Sequence, residues 1–233
     1  MIQKEKKKIN HPDSVQGIPV PSQTLMPIEL PKPTAGRTTS VVKALQQRRT
    51  IREISDRKLS LEVLSNLLWA ACGVNRKVGP FGIPGRTAAS ASNSQEIDIY
   101  VLMEKGIYLY DAVHHRLDPV VEGDLRALAI NPGQAGFVRN APVQLIYVAD
   151  IHKLSRTSGY QEPGLQDPEV QKSYYFADTG LIAGNVYLFA ASQGLAAWFH
   201  NCNKPALTEK LNLRDEQRVL FGQTVGYPAK KKK

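Results

Sequence analysis

The chain has 233 residues, of which 42% are hydrophobic, a composition that favours a globular fold with a sizeable core. Its formal net charge of +9 lies mostly at the ends, because residues 1–8 contribute +3 and residues 230–233 contribute +4. The remaining +2 argues against a nucleic-acid surface and favours solvated terminal tails.

Two cysteines, Cys72 and Cys202, stand far apart in apolar sequence, which excludes a disulfide framework and favours reduced, buried thiols. The first residues, MIQKEKKKIN, have no apolar segment after their charges, and no window of the sequence reaches the length of a bilayer span. We therefore expect a cytoplasmic protein that contacts neither a membrane nor nucleic acid.

The first third of the chain predicts an arm and two helices. Residues 1–36 carry six prolines and predict an extended arm that lies on another surface. A helix is predicted after an N-cap within residues 38–40, because apolar residues follow at helical spacing. A second helix is predicted from its N-cap Ser60 to a stop at Gly73. Residues 74–94 hold glycines separated by prolines and predict a loop.

The middle of the chain predicts a sheet. In QEIDIYVLMEKGIYLYD, apolar and polar residues alternate on both sides of Lys105-Gly106, which is the pattern of a β-hairpin. The elements predicted after it are a strand over residues 117–121, short helices over 124–129 and 132–138, and a buried strand over 141–150.

The last third predicts a loop over residues 155–168 and then the longest helix, over 169–193. One face of that helix carries small or apolar side chains, and we interpret this small face as a packing or dimer surface. Its members are Ala177, Gly180, Leu181, Gly184, Leu188 and Ala191. Strands over 194–203 and 218–228 follow, with a short helix over 205–211 between them. This order of elements predicts an α+β fold with a central, mostly antiparallel sheet.

Three short motifs are candidates for function. Arg48, Arg49 and Arg52 with Thr50 form a cationic cluster that suits a phosphate, because guanidinium groups match its oxygens; the alternative is a solvated helix end. In the loop at residues 86–96, Ser90, Asn93 and Gln95 offer hydrogen-bond donors and acceptors that could bind the edge of a heteroaromatic ring. The alternative is an ordinary flexible connector. Gly194-Leu195 joins a helix to a strand, where a plain glycine C-cap is the alternative.

Other motifs fail. Asp178-Thr179-Gly180 spells an aspartic-protease triplet, but it lies within helical sequence. His200 and Cys202 alternate along a predicted strand with no further ligands nearby, so we predict no metal site. No pairing of a nucleophile with a base is evident, which favours a protein whose cofactor does the chemistry.

The motifs, taken in order, resemble the FMN-dependent nitroreductase superfamily over about residues 37–230. The matching segments are RRTIR at Arg48, AASASNSQ at Ala88, DTGLIAGNVYLFAASQGLAAW at Asp178 and GQTVGYP at Gly222. Two further segments resemble its SagB-like dehydrogenase branch, LLWAACGVN at Leu67 and GIYLYDAVHHRLDPV at Gly106. Glu96 departs from the superfamily, which commonly has proline at that position.

The resemblance implies a three-layer fold, an obligate homodimer with FMN at its interface, and a set of cofactor-binding residues. Those residues are Arg48, Arg49, Thr50 and Lys230 at the phosphate, Arg52 at the pyrimidine edge of the flavin, Ser90, Asn93 and Gln95 from the other subunit, and Gly194 and Leu195 with their N–H groups near the ring nitrogen. The implied division is an arm over 1–36, an FMN-binding domain over 37–229 and a basic tail over 230–233.

The resemblance also implies a ping-pong reaction. NADH or NADPH gives a hydride to FMN, and an electron-poor acceptor of the nitroaromatic or quinone type then takes it, with no catalytic side chain required. Two alternatives stay open. One is a SagB-like dehydrogenase that oxidises a peptide azoline, and the other is a non-catalytic flavin-binding protein.

Overall fold

A seven-stranded sheet forms the centre of the computed structural model, which describes residues 24–34, 39–134, 140–158 and 166–230. The strands of this sheet are β1 (Ile28–Glu29), β4 (Ile97–Met103), β5 (Gly106–Asp111), β6 (Arg116–Glu122), β7 (Val143–Asp150), β8 (Ala196–His200) and β9 (Gln217–Gly226). Two further strands, β2 (Val74–Arg76) and β3 (Gly85–Arg86), lie outside it. The α-helices are α1 (Val41–Gln47), α2 (Leu61–Cys72), α3 (Ile151–Arg156), α4 (Pro168–Gln193) and α5 (Lys204–Lys210). Single 3-10 turns lie at Pro80–Gly82, Ala91–Asn93, Arg126–Ala129 and Pro132–Gln134.

The strand order in the sheet is β1-β6-β5-β4-β7-β9-β8, and each neighbouring pair is antiparallel. The predicted α+β fold with a central antiparallel sheet is therefore confirmed. The predicted hairpin is β4 and β5, in which Met103 pairs with Gly106 and Glu104 and Lys105 form the turn. Strand β8 lies at one edge of the sheet, where it pairs with β9.

The core occupies both faces of the sheet, which gives three layers. All eight residues of β7 are buried, as expected for a continuous apolar run. Leu145 of β7 belongs to an apolar cluster that includes Leu67 of α2 and Val186 of α4. Ile146 lies in a second cluster with Leu207 of α5. Helices α2 and α4 therefore cover one face, and α5 covers the other.

The predicted helix ends are confirmed by their caps. The hydroxyl of Ser40 accepts a hydrogen bond from the N–H of Lys43 at the start of α1, and Ser60 does the same for Val63 at the start of α2. The long helix α4 ends at Gly194, whose φ of 68° lies in the left-handed region that glycine adopts at low cost.

The described end of the arm lies on its own chain. Strand β1 pairs with β6, and the hydroxyl of Ser65 on α2 donates to the carbonyl of Pro31 at 2.5 Å. The N–H of Thr34 donates to Asn66 Oδ1 at 2.8 Å. Residues 24–34 therefore pack against the sheet edge and α2 of the same molecule, whereas residues 1–23 lie outside the described part.

Three regions differ from the predictions. Residues 74–94 are not a plain loop, because β2 and β3 pair in a small separate ribbon. The two short helices predicted before β7 are 3-10 turns, and residues 135–138 of the second lie outside the described part. The first two residues of the loop predicted at 155–168 belong to helix α3, and residues 159–165 of that loop lie outside the described part of the chain. Among the described residues, no helix is both long and apolar enough to cross a membrane.

Candidate functional site

Residues 48–52, called the arginine segment below, leave the end of α1 and lie along the edge strand β8. Arg48 caps α1, with its N–H donating to the carbonyl of Ala44 at 2.8 Å. Three residues later, the N–H of Ile51 donates to the carbonyl of Ala197 in β8 at 3.0 Å. The segment is thus held in an extended conformation against the sheet edge.

Tyr187 on α4 links the arginine segment to the sheet. Its hydroxyl lies 3.1 Å from Thr50 Oγ1 and accepts the N–H of Phe199 in β8 at 2.8 Å. Because that N–H occupies the acceptor side, the tyrosine O–H is free to donate to Thr50. The guanidinium of Arg48 lies 5.6 Å from the centre of the same aromatic ring.

The arginine segment presents three cations to solvent. The guanidinium of Arg52 lies 5.6 Å from the ring centre of Trp198. Arg49 Nε donates to the carbonyl of Gln47 at 3.5 Å. Within the part of the chain that the structure describes, neither these two arginines nor Arg48 forms an ion pair with a carboxylate. Three arginines within five residues, exposed and without counter-charges, make the segment a candidate anion site.

The C-terminal end of the chain adds a fourth cation to this site. Beyond β9, residues 227–229 pair with residues 53–55 in antiparallel fashion, through a bridge between Ile54 and Pro228. The N–H of Ala229 donates to the carbonyl of Glu53 at 2.8 Å. The same register places the exposed Lys230 opposite Arg52.

Gly194 and Leu195 close the α4–β8 junction beside the arginine segment. The N–H of Leu195 donates to the carbonyl of Ala190 at 2.8 Å, and that of Gly194 donates to the carbonyls of Ala190 and Ala191. This is the usual hydrogen bonding of a glycine C-cap. In this conformation both N–H groups already have acceptors, so the amide contact to a flavin that the resemblance implies is not available without a local change.

The second candidate group, residues 90–95, lies beside the 3-10 turn at residues 80–82. The hydroxyl of Ser90 accepts the N–H of Gln95 at 3.0 Å. Asn93 Nδ2 lies 3.3 Å from the carbonyls of Pro80 and of Ile83. These side chains therefore hold the loop against its neighbouring turn, which the sequence did not predict.

Arg86 is a residue of this region that motif matching missed. Its Nε donates to Gln95 Oε1 at 2.6 Å, and its Nη1 donates to the carbonyl of Cys72 at 3.2 Å. Gln95 Nε2 donates to the carbonyl of Pro84 at 2.6 Å. Arg86 begins the run RTAASASNSQE, but no sequence signal separates an arginine that fixes a loop from one that is solvated.

The two candidate groups contact α4 at separate places. Asp178 accepts the N–H of Ala91 at 2.9 Å, which places the 90–95 loop beside the N-terminal half of α4. The arginine segment contacts the same helix at Tyr187, whose hydroxyl lies 3.1 Å from Thr50 Oγ1. Asp178 and Tyr187 are nine residues apart, which at 1.5 Å per residue is about 14 Å along the helix.

The small face predicted on α4 lies at the surface of the single chain. Gly180 and Gly184 have open space where a Cβ would stand, and the side chain of Leu181 is 50% exposed. Apolar residues of the neighbouring α1 are exposed as well: Val41, Val42 and Leu45. A contiguous exposed apolar surface of this kind is typical of an interface.

The described cysteine thiols are buried and protonated. Burial raises the pKa of Cys72 and of Cys202 to about 11, so both thiols stay protonated near neutral pH. Among the residues that the structure describes, no three histidine, cysteine, aspartate or glutamate side chains lie close enough together to hold a metal ion.

Comparison with known families decides the assignment. The model of the nitroreductase family matches residues 45–227, which contain the arginine segment, the 90–95 loop and the Gly194-Leu195 junction. The chain belongs to the nitroreductase family. The resemblance stated from four short motifs is therefore confirmed, and Lys230 lies just beyond the matched region.

Similar proteins fit this membership. A protein of Methanocaldococcus jannaschii described as a nitroreductase is 30% identical over 158 residues, which are 65% of this chain and 73% of that protein. A solved structure from Ralstonia eutropha JMP134, also described as a nitroreductase, is 32% identical with a TM-score of 0.75 and covers 93% of this chain and 97% of its own.

A further solved structure shows a more distant likeness. A chain of the Escherichia coli microcin synthetase complex McbBCD, solved with truncated pro-MccB17 bound, has a TM-score of 0.64 and 16% identity. It covers 93% of this nitroreductase-family chain and 79% of its own. At this identity the likeness concerns the fold alone.

Proposed function

We propose that this nitroreductase-family chain is an FMN-dependent oxidoreductase that transfers a hydride from NADH or NADPH to an electron-poor small molecule, of the nitroaromatic or quinone type. The observation that carries the proposal is the group of exposed cations without counter-charges, Arg48, Arg49, Arg52 and Lys230, gathered at the edge of β8. Proteins of this family generally use flavin, in keeping with the proposal.

The arginine segment fits a phosphate group. A phosphate monoester carries close to two negative charges at neutral pH, and guanidinium groups bind its oxygens through pairs of N–H donors. Arg48, Arg49 and Lys230 would supply the charge and Thr50 a neutral donor. Each charge-assisted hydrogen bond contributes about 1.5–3 kcal/mol, so the loss of one arginine should weaken the complex measurably.

Arg52 has a separate role in the proposal. Bound FMN would supply the hydride chemistry, which none of the 20 side-chain types provides alone. Arg52 would stand at the pyrimidine edge of the ring, where a fixed positive charge stabilises the negative charge that the reduced ring carries. Its position over Trp198 restricts the guanidinium before the cofactor binds.

A second copy of the chain would complete the site. The 90–95 loop contacts α4 at Asp178, about 14 Å along the helix from Tyr187, where the arginine segment is attached. In a twofold dimer, the loop of one subunit can meet the segment of the other at two equivalent sites. The exposed small face of α4 and the apolar face of α1 are the surfaces that would form the contact.

The first test is the flavin content of the purified protein. We expect the visible absorption of oxidised flavin in the wild type, and its loss when NADH or NADPH is added under argon. Arg48→Ala, Arg52→Ala and Lys230→Ala should each lower FMN affinity, because each removes a charge next to an anionic or electron-accepting group.

The matched control is Arg156→Ala. Arg156 is an exposed arginine in the last turn of α3, which follows the end of β7 that lies away from the arginine segment. This variant should therefore bind FMN as the wild type does. Full FMN retention in the three site variants would contradict the proposal. Flavin that binds but is not reduced by either nicotinamide would identify a non-catalytic flavin-binding protein instead.

A further inference from the structure

Two carboxyl groups meet beneath the 90–95 loop. Glu96, at the start of β4, has an exposed fraction of 0%, and Asp178, on α4, one of 5%. Their side chains are hydrogen-bonded to each other. Neither forms an ion pair with any residue that the structure describes.

The pair needs a proton, because an ionised carboxylate only accepts hydrogen bonds. Glu96 Oε2 accepts the hydroxyl of Ser94 at 2.6 Å, whereas Glu96 Oε1 is buried and meets no N–H or hydroxyl donor within the described part of the chain. Burial raises the pKa of Glu96 to about 7 and also raises that of Asp178. One proton between the two groups leaves a single negative charge in the buried site.

The same carboxyl groups hold the 90–95 loop in a strained conformation. Ser92, Asn93 and Gln95 have φ angles of 49°, 54° and 52°, in the left-handed region that non-glycine residues rarely adopt. Such backbone persists only where the surroundings fix it. Asp178 binds the N–H of Ala91, and Glu96 binds the hydroxyl of Ser94.

We infer that Glu96 and Asp178 are a positioning pair that shares one proton, and that this proton keeps the 90–95 loop in the conformation in which it meets the flavin of the other subunit. The meeting with flavin rests on the proposed function. The shared proton and its effect on the loop are properties of the single chain.

The other charged and titratable groups around the pair are accounted for. Asp98, on β4, is paired with Lys153 at 2.6 Å, and Asp150, on β7, is paired with Arg214 at 2.7 Å. Among the described residues, further groups nearby are the thiol of Cys72 at the end of α2, neutral near pH 7, the guanidinium of Arg86 on β3, bound to Gln95, and the phenol of Tyr110 on β5, whose pKa burial raises.

The sign of the pH dependence follows from the pair. Glu96 has a raised pKa in the folded chain, so the stabilisation from its proton is complete below its ordinary pKa of 4.5 and is lost as the pH rises to about 7 and beyond. Above that range, two carboxylates repel each other in a site with little solvent. We expect the loop to loosen and FMN affinity to fall as the pH rises from 6 to 8.5.

Two variants and a control test the inference. Glu96→Gln keeps an acceptor for Ser94 and a donor for Asp178 but cannot ionise, and Asp178→Asn keeps an acceptor for Ala91. The control, Glu216→Gln, changes an exposed glutamate outside this region. Amide hydrogen exchange of residues 90–95, corrected for the intrinsic pH effect, and FMN titrations are measured at pH 6 and 8.5.

In the wild type and the control, we expect faster corrected exchange and about fivefold or more weaker FMN binding at pH 8.5 than at pH 6. In Glu96→Gln, both quantities should change little with pH, whereas Asp178→Asn, in which the buried Glu96 can still ionise, should keep a smaller pH dependence than the wild type. Wild-type protein that binds FMN equally at both pH values, with unchanged exchange, would overturn the shared proton and leave the proposed function standing. If neither the wild type nor any variant binds FMN at any pH, the proposed function fails, and the exchange profiles alone test the shared proton. Exchange that depends on pH in the wild type but not in Glu96→Gln supports the shared proton. Exchange that does not depend on pH in the wild type overturns it.

Discussion

A single hydroxyl group, that of Tyr187, joins three parts of the candidate site. It accepts the N–H of Phe199 from the edge strand and lies 3.1 Å from the hydroxyl of Thr50, while its ring lies under the guanidinium of Arg48. The arginine segment therefore depends on a residue of the long helix for its position. In the proposed complex the cations would bind the phosphate of FMN, and Tyr187 would fix the position of the segment that carries them.

Tyr187→Phe should loosen the segment without removing a charge. The N–H of Phe199 would lose its acceptor, so we expect the free energy of unfolding in urea to fall by about 1–2 kcal/mol and FMN affinity to fall with it. Tyr175→Phe, a variant of the same helix whose hydroxyl has no hydrogen bond to a described residue, should change neither quantity. Equal FMN affinity in the two variants would show that Tyr187 does not position the segment.

Residues close in sequence were predictable at this scale, and long-range contacts were not. Arg48, Thr50 and Arg52 fall within five residues, so their proximity follows from the sequence. The contacts with Tyr187 and Trp198 depend on how α4 and β8 pack, which no local pattern encodes. The amide of Gln95 was predicted to face a ligand, but in the folded chain it is bound by Arg86 and the carbonyl of Pro84.

Helix α4 is the element that organises the site. Its buried face packs on the sheet through residues such as Ile182 and Val186, and its small face lies at the surface. The 90–95 loop is attached at Asp178 and the arginine segment at Tyr187. The helix thus sets the separation between the two candidate groups.

Gly184→Leu tests whether that small face is a contact surface. A Cβ at Gly184 meets nothing within 4 Å in the single chain, and leucine has a higher helix propensity than glycine, so the folded monomer should tolerate the change. In a dimer the added side chain would overpack a close helix contact and cost about 1–3 kcal/mol or more. We expect light scattering to show dissociation of Gly184→Leu at concentrations where the wild type is a dimer.

Lys172→Leu is the control, because it adds the same side chain to α4 outside the small face. It should remain a dimer. A wild-type monomer in light scattering, or a Gly184→Leu protein as dimeric as the control, would contradict the assignment of this face.

Helices and strands with a clear hydrophobic pattern could be predicted from the sequence, and very short strands could not. Helix α2 has clear signals at both ends, Ser60 and Gly73, and the hairpin of β4 and β5 has strand-forming residues on both sides of a short polar turn. The ribbon of β2 and β3 has strands of three and two residues, too short for any periodicity to appear. It forms because the chain returns at Gly85 to pair with the segment after α2.

At the scale of the whole molecule, the fold holds the two candidate groups at separate places on α4. The sequence predicts both groups and a small helix face, but not that the groups contact α4 about 14 Å apart, at Asp178 and Tyr187, or that the face lies at the surface of the chain. The separation depends on the packing of the 90–95 loop against Asp178. The separation and the exposed face together favour the proposed dimer, in which each subunit would complete the site of the other.

Subunit complementation tests this claim most directly. One chain carries Arg48→Ala with Arg52→Ala, and a second, differently tagged chain carries Ser90→Ala with Asn93→Ala. Each variant alone should bind little FMN. In the purified heterodimer, one site combines both defects and the other is intact, so we expect about one FMN per heterodimer, half of the wild-type content. A heterodimer with as little FMN as the two parent proteins would contradict a site shared between subunits.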